Sequence, residues 1–378
     1  MLVIMDTHSL PSCGAVGVFD DRNQFSNGAA EYFSHSLAFQ LTAARARLDA
    51  LCITKLRMVQ VNTTALGSSD LQVSRLGVGA MTWGDPAGFA RWTPAKLAYG
   101  GPLGLEEEQR AFEASLAAGV TLFDTAEMYS GGASERRLGE LAHGKDVVLA
   151  TKFPPNPFSR AESLPRALDA SLARLGRSSV DLYQHHFPFR WIPIPKLMEL
   201  MADAVEVGKV KAVGVSNYSA EQMRVAHAAL ARRGIPLASN QVEYSLLHRQ
   251  PEVNGVLDAC RELGVTLIAY QPLAGGALTG KYGAGARPTG LRRFFPPFRG
   301  KDLEALGPVL HLLREIGERY AKSPAQVALR WLIENESVLP IPGAKNGKQA
   351  ADNAGALAFR LTAAEIDALN QATLAWRA

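Results

Sequence analysis

Four residue types spread along the middle of the chain could together move a proton onto a carbonyl. In "TLFDTAEMYSGGASERRLG" the apolar run 120–123 stops at a carboxylate, Asp124, and five residues later Tyr129 stands just before a glycine pair. The run 146–151 is followed by Lys152, and the run 180–184 by two histidines, His185 and His186. A tyrosine hydroxyl, with a reference pKa of about 10, is a sluggish proton donor at neutral pH. A neighbouring ammonium stabilises the phenolate and lowers that pKa, while a carboxylate holds the ammonium charged and in place. One of the histidines would hydrogen-bond and orient a carbonyl oxygen. Such a set would protonate a carbonyl as a hydride arrives from a cofactor, which is aldehyde or ketone reduction. Singly, each residue has a plain structural reading as cap, loop packing, solvated strand end or core histidine. Their placement at successive strand ends is what gives the chemical reading weight.

The elements that must position them follow a regular pattern. Around a Gly-Ser-Ser-Asp turn, 61–76 alternates apolar and polar residues and reads as a β-hairpin. Eight short β-prone runs follow, at 75–80, 120–125, 146–151, 180–184, 210–215, 238–242, 265–270 and 337–342. Amphipathic helical stretches lie between them, at 106–118, 161–175, 194–207, 220–233, 251–263 and one long run over 303–335. This alternation predicts an α/β fold, a (β/α)8 TIM barrel whose N-terminal hairpin closes the barrel bottom. No G-x-G-x-x-G fingerprint follows the first strand, which argues against a doubly wound dinucleotide-binding sheet. In a barrel the chemistry sits at the carboxyl ends of the strands, where Asp124, Lys152, His185, His186, Ser216, Asn217, Asn240, Gln241 and Glu243 would converge.

Composition excludes several other classes. The chain has 378 residues, 47% hydrophobic and 20% charged, with 40 basic and 36 acidic residues, so nothing in its charge points to nucleic acid. Its three cysteines are unpaired in spacing and lack nearby histidines, so neither a disulfide framework nor a metal site is expected. No apolar run approaches the roughly 20 residues of a membrane span. Residues 1–57 lack the regular pattern until 37–51. They read as a flexible extension preceding one domain over 58–378. Their mixed acids and bases fit a transit peptide poorly. The expected home is the cytoplasm, or a plastid if that segment acts as a transit signal, and a monomer is favoured.

The motifs resemble those of the aldo-keto reductases, in family order: "FDTAEMYSGGASERRLGE", "LATKF", "DLYQHHFP", "GKVKAVGVSNYS", "SNQVEYSLL", "LIAYQPLAGGALTGKY" and "PIPGAKNGKQAADN". The likeness is greatest to the plant and bacterial branch that includes pyridoxal reductases and the β subunits of potassium channels. It implies catalytic roles for Asp124, Tyr129 as general acid, Lys152, and His186 rather than His185. It also implies NADPH (or NADP+) as cofactor and a small-molecule carbonyl as substrate. Ser216, Asn217 and Gln241 would hold the nicotinamide carboxamide, and Tyr270 would stack on the ring. Gln271, Leu273, Gly275 and Lys281 would lie along the pyrophosphate. Gly343, Lys345, Gln349 and Asn353 would form the adenosine site, with Lys345 beside a helix start suited to a 2′-phosphate.

Two long loops, 82–108 and 283–301, depart from a minimal member of that family. Trp83, Phe89, Trp92 and Tyr99 in the first are expected to wall a substrate pocket, joined by Phe153 and Phe187. The second reads as a mobile lid. Residues 275–281 imitate a P-loop, but Tyr282 stands where a Ser or Thr would hold Mg²⁺. The competing functional reading is a non-catalytic NADPH-binding module that regulates a partner protein.

Overall fold

A computed structural model describes residues 63–86, 98–154, 160–282 and 286–377. The chain divides between Met58 and Val59, and the fold described here is that of the second unit. The expected N-terminal extension, together with Phe89 and Trp92, lies outside the described residues.

Strands β1 (Thr63–Ala65) and β2 (Gln72–Ser74) pair antiparallel as the expected hairpin. Then come β3 (Gly77–Gly79), α1 (Leu105–Ala117), β4 (Leu122–Asp124), α2 (Ala133–Leu141), β5 (Val148–Phe153), α3 (Leu164–Leu175), β6 (Val180–His185) and α4 (Ile194–Glu206). The alternation continues with β7 (Val210–Ser216), α5 (Ala220–Ala231), β8 (Leu237–Glu243), α6 (Val256–Leu263) and β9 (Thr266–Tyr270). Helices α7 (Gly300–Tyr320) and α8 (Pro324–Ile333), strand β10 (Val338–Pro340), and helices α9 (Gly347–Ala354) and α10 (Ala363–Ala372) complete it. Strands β3 to β10 form one parallel eight-stranded sheet in chain order. A parallel bridge between Gly79 and Gly343 closes it into a barrel, with the Gly79 amide donating to Pro342 O at 3.1 Å.

Period-2 alternation divides the buried residues between two cores. Leu122, Ala150, Leu182, Ala212, Ile268 and Leu339 share the smaller cluster with Leu66 and Val73 of the hairpin. The hairpin sits at the amino end of the strands, where the Gly67 amide donates to Thr266 Oγ1 at 2.7 Å and Ser68 Oγ to Gly264 O at 3.1 Å. The barrel bottom is thereby closed. The larger cluster, which includes Val213, Val215, Leu168, Leu197 and Met201, lies between the strands and the surrounding helices.

Two helical predictions need correction. The run over 303–335 is two helices, because Ala321 takes a left-handed φ of 52° and Ser323 caps a new helix whose first residue is Pro324. The stretch 251–263 is helical only from Val256, since Gly255 at φ 81° interrupts it after a short 3-10 turn over Gln250–Glu252. Capping boxes at Ser219, Ser323 and Thr362 start α5, α8 and α10, each side chain accepting from the amide three residues on.

Helices α2 and α3 touch closely at Gly139, where an added Cβ would stand 2.4 Å from Leu175 O and 2.6 Å from Leu175 C. These atoms are backbone and cannot rotate away. Gly139→Ala is therefore expected to destabilise the fold by about 1–3 kcal/mol, read as a lower midpoint in chemical unfolding. A midpoint equal to the wild type would show that the two helices can separate freely.

Candidate active site

The polar groups at the mouth follow from the pleat of the strands. Asp124 stands two residues beyond Leu122, Lys152 two beyond Ala150, and Gln184 two beyond Leu182, so each continues an inward-facing row. The barrel interior is apolar at its floor and polar at its upper rim. Lys152 is fully buried there, and an ammonium in that position needs a counter-charge and hydrogen-bond acceptors. It donates to Asp124 Oδ1 at 2.5 Å and to Thr125 O at 2.7 Å. The other carboxylate oxygen accepts from Gln184 Nε2 and Gln241 Nε2, each at 3.0 Å. An apolar strand thus ends on an acid because the strand beside it ends on a buried lysine.

Tyr129 reaches the same rim from a tightly knotted turn. Ser130, Gly131 and Gly132 have φ values of 53°, 64° and 81°, three left-handed residues in a row that only a sequence rich in glycine accommodates cheaply. Ser130 Oγ donates to Trp83 O at 3.3 Å, Ser134 Oγ to Ala80 O at 2.7 Å, and Thr125 Oγ1 meets Ser134 Oγ at 2.7 Å. Buried Glu135, just beyond the turn, accepts from Thr151 Oγ1 at 2.6 Å and from Arg174 Nε at 2.5 Å. The turn is so fixed that Lys152 Nζ lies 5.0 Å from the centroid of the Tyr129 ring. The His186 ring meets Tyr129 edge-on, with centroids 5.7 Å apart.

The two histidines face opposite ways. His185 is the last residue of β6 and its imidazole is fully buried, with Nδ1 2.6 Å from Tyr218 Oη and Phe153 stacked 6.0 Å away. His186 is the one beside Tyr129, and Phe187 stacks on it at 4.4 Å. Burial pushes His185 from 6.5 down to about 3. Burial, helped by Lys152 and His185, pushes His186 down to about 2. Both imidazoles are neutral at physiological pH, whereas the unfolded chain protonates them near 6.5. Their contribution to stability is complete above that value and is lost as pH falls from 6.5 toward 3. In thermal unfolding between pH 6.5 and 4, His185→Gln is expected to lose less of its melting temperature than the wild type. Parallel loss in both proteins would refute a buried neutral His185.

Lys152 does lower the Tyr129 pKa, as the sequence leads one to expect, but burial outweighs it and the net shift is upward. Burial raises the phenol, Lys152 opposes it, and Asp124 adds to the rise. Burial alone would depress Lys152, but Asp124 and then Tyr129 outweigh it and raise the ammonium. The arrangement keeps a protonated phenol beside a firmly charged ammonium.

The residues expected to hold a cofactor fall into two groups. At the mouth, Ser216 Oγ donates to Gln241 O at 2.8 Å. Asn217, at φ 60°, donates to His186 O at 3.2 Å and accepts from Tyr270 Oη at 3.1 Å. Because Gln241 Nε2 is committed to Asp124, its amide oxygen is the group it can offer a carboxamide. Along β9 and beyond, Gln271 and Gly275 take φ values of 50° and 64°, while Leu273 is half-buried and Lys281 exposed. Gly343 and Lys345 precede α9, and Gln349 and Asn353 lie on it. There Lys345 N donates to Gln349 Oε1 at 2.9 Å and Asn353 Nδ2 to Gly343 O at 3.2 Å. The Lys345 ammonium donates to the carbonyls of Tyr99, Gly100 and Gly101, at 3.4 Å and 3.3 Å for the last two.

The expected pocket walls separate. Trp83 is fully buried, donating from Nε1 to Ala344 O at 2.7 Å and packing on Phe123. Phe153, 1% exposed, belongs to the outer core because it follows inward-facing Lys152 by one residue. Neither presents surface to solvent, whereas Phe187, stacked on His186, is 38% exposed. Tyr99 packs edge-on against Phe295 of the second long loop, and Arg292 lies over the Tyr99 ring at 5.1 Å while donating to Tyr282 Oη at 3.2 Å. That loop, expected as a mobile lid, carries 3-10 turns over Gly290–Phe294 and Pro296–Phe298. Gln184 was missed from sequence although its period-2 spacing from Leu182 marks it as inward. Glu135 and Arg174, 39 residues apart, carry no local signal that they meet.

The Aldo/keto reductase family model matches residues 75–373, and the chain belongs to that family of oxidoreductases. It is 38% identical to a chloroplastic pyridoxal reductase of Arabidopsis thaliana over 77% of this chain and 81% of that protein. It is 34% identical to an NADP(+) aldo-keto reductase of Schizosaccharomyces pombe over 72% of this chain and 84% of that protein. The solved structure of a glycerol dehydrogenase from Gluconobacter oxydans covers 83% of this chain, and 95% of that one is matched, with a TM-score of 0.69 and 25% identity. Among the described residues, no helix is long and apolar enough to cross a membrane, and no group of three or more acidic, His or Cys side chains could hold a metal ion.

Proposed function

We propose that this protein reduces a small aldehyde or ketone to the alcohol with NADPH, using Tyr129 as the general acid. The observation that carries the reading is Lys152, fully buried between Asp124 and the Tyr129 ring, with a neutral histidine against the same ring. A nicotinamide cofactor, when bound, supplies the hydride. Tyr129 gives its proton to the carbonyl oxygen, and the Lys152 ammonium stabilises the phenolate left behind. Asp124 keeps that ammonium charged, and His186, uncharged, orients the carbonyl by a hydrogen bond.

The groups present fit a nicotinamide carboxamide, since Ser216 is hydrogen-bonded to both Asn217 and Gln241, and Gln241 also reaches Asp124, the carboxylate that holds Lys152. Lys345 favours a 2′-phosphate by its charge and its place before a helix start, and the name of the Schizosaccharomyces relative points to the same choice. The name of the Arabidopsis relative makes pyridoxal the first carbonyl to try.

The test is NADPH oxidation followed by absorbance, with pyridoxal and short aldehydes, and with NADH in parallel. The expected result is turnover with NADPH, with a kcat/KM at least about tenfold above that with NADH. Tight NADPH binding without turnover on any carbonyl would overturn the reductase reading in favour of a regulatory module. Equal use of NADH would remove the role given to Lys345.

A further inference from the structure

Beyond the Tyr270–Asn217 hydrogen bond opens a cavity of about 420 Å³, within the roughly 300–1,000 Å³ of small-ligand sites. Asn217, Glu243, His248, Gln250, Asn254 and Tyr270 contribute to its wall. Asp124, Tyr129, Lys152, His186, Ser216 and Gln241 do not, so the cavity is separate from the place of proton transfer and shares only Asn217 and Tyr270 with the proposed nicotinamide contacts.

Its chemistry is that of a cation receptor. Glu243 ends β8 in register with Tyr270, and among the described residues its carboxylate has neither a hydrogen bond nor an ion pair. The basic neighbour on the same loop, Arg249, is committed to Glu252 at 2.7 Å and 2.8 Å. Asn254 is held at the wall by its side-chain oxygen, which accepts from the Val256 amide at 3.1 Å. A carboxylate beside an aromatic ring, with amide and imidazole groups around it, suits an ammonium that needs both charge and hydrogen-bond acceptors.

We infer that this cavity binds a small molecule bearing an ammonium group, its nitrogen paired with Glu243. Because Tyr270 and Asn217 also face the mouth, its binding changes the affinity for NADPH. The site stands apart from the reductase reading; the coupling rests on it. Asn217 carries the coupling because its left-handed φ of 60° must be held by its partners, one of which is the Tyr270 hydroxyl.

The experiment is calorimetric titration of the full chain with n-butylamine, with n-butanol as the uncharged analogue. Saturable binding of one equivalent of the amine, and none of the alcohol, is expected. Glu243→Gln should weaken the amine by at least about tenfold with an unchanged melting temperature. Gln250→Lys, which brings a competing cation to the wall, should weaken it likewise and serves if the first variant fails to fold. Tyr129→Phe should bind as the wild type does. Absence of saturable amine binding, equal binding of the alcohol, or wild-type affinity in the folded variants overturns the site. NADPH affinity is then measured by fluorescence with and without saturating amine, and linkage requires each ligand to shift the other equally. An unchanged NADPH affinity overturns the coupling, as does failure to bind NADPH at all, and in either case the calorimetry still decides the site.

Discussion

Tyr129→Phe is expected to lower kcat for carbonyl reduction by about 10²–10⁴ while leaving NADPH affinity unchanged. The phenylalanine ring preserves the packing against His186 at 5.7 Å and the place over Lys152 at 5.0 Å, so the change removes one hydroxyl and little else. The size of the loss follows from what Lys152 does at each stage. In the resting site the phenol is raised above its ordinary value by burial, so it is protonated throughout the physiological range. Only as the proton leaves does a negative charge form beside the ammonium, and the attraction between them appears then and not before. An interaction made only in the transition state raises kcat rather than tightening substrate binding. Stopped-flow measurement of the NADPH-dependent step checks this. A Tyr129→Phe enzyme with kcat near the wild type would assign the proton to another donor, and a raised KM alone would reduce Tyr129 to a binding group.

The barrel was legible because its evidence is local and repeats. Short β-prone runs alternate with amphipathic stretches, and the polar residue ending each run falls at a predictable end of the fold. The mouth was legible for the same reason: Lys152 and Gln241 both meet on the Asp124 carboxylate. What escaped depended on which face a residue takes once the strand's pleat is fixed. Phe153 follows Lys152 by one position and so turns outward into the helix-facing core, and His185, stacked on it, is lost to the site in the same way. Trp83 looked like a pocket wall by type, yet it is a core residue bonded to Ala344 across 261 positions of sequence. The Tyr129 pKa was misjudged because pairing of charges is visible in sequence, whereas burial is a property of the whole assembly.

The second large effect lies in the Asp124–Lys152 pair itself. Lys152→Met is expected to destabilise the fold by about 3 kcal/mol, because it leaves a buried carboxylate held only by the amides of Gln184 and Gln241. Asp124→Asn should be at least as costly, near the upper end of about 3–5 kcal/mol, since Lys152 then loses its counter-charge and burial drives the ammonium to deprotonate. The double variant, Asp124→Asn with Lys152→Met, buries no net charge and should be more stable than the Asp124→Asn single variant. Stability and activity should therefore part company along this cycle. The double variant regains much of the fold but none of the turnover, because without the ammonium nothing stabilises the phenolate of Tyr129. The pair's own pH dependence has a definite sign: Lys152 is raised, so its stabilisation is whole below its unfolded value of about 10.4 and is lost as pH climbs through the folded one. Chemical unfolding of the four proteins at neutral pH, with NADPH oxidation measured on each, tests both halves. Additive losses would mean that the two side chains do not act as a pair, and recovery of turnover in the double variant would remove Lys152 from the chemistry.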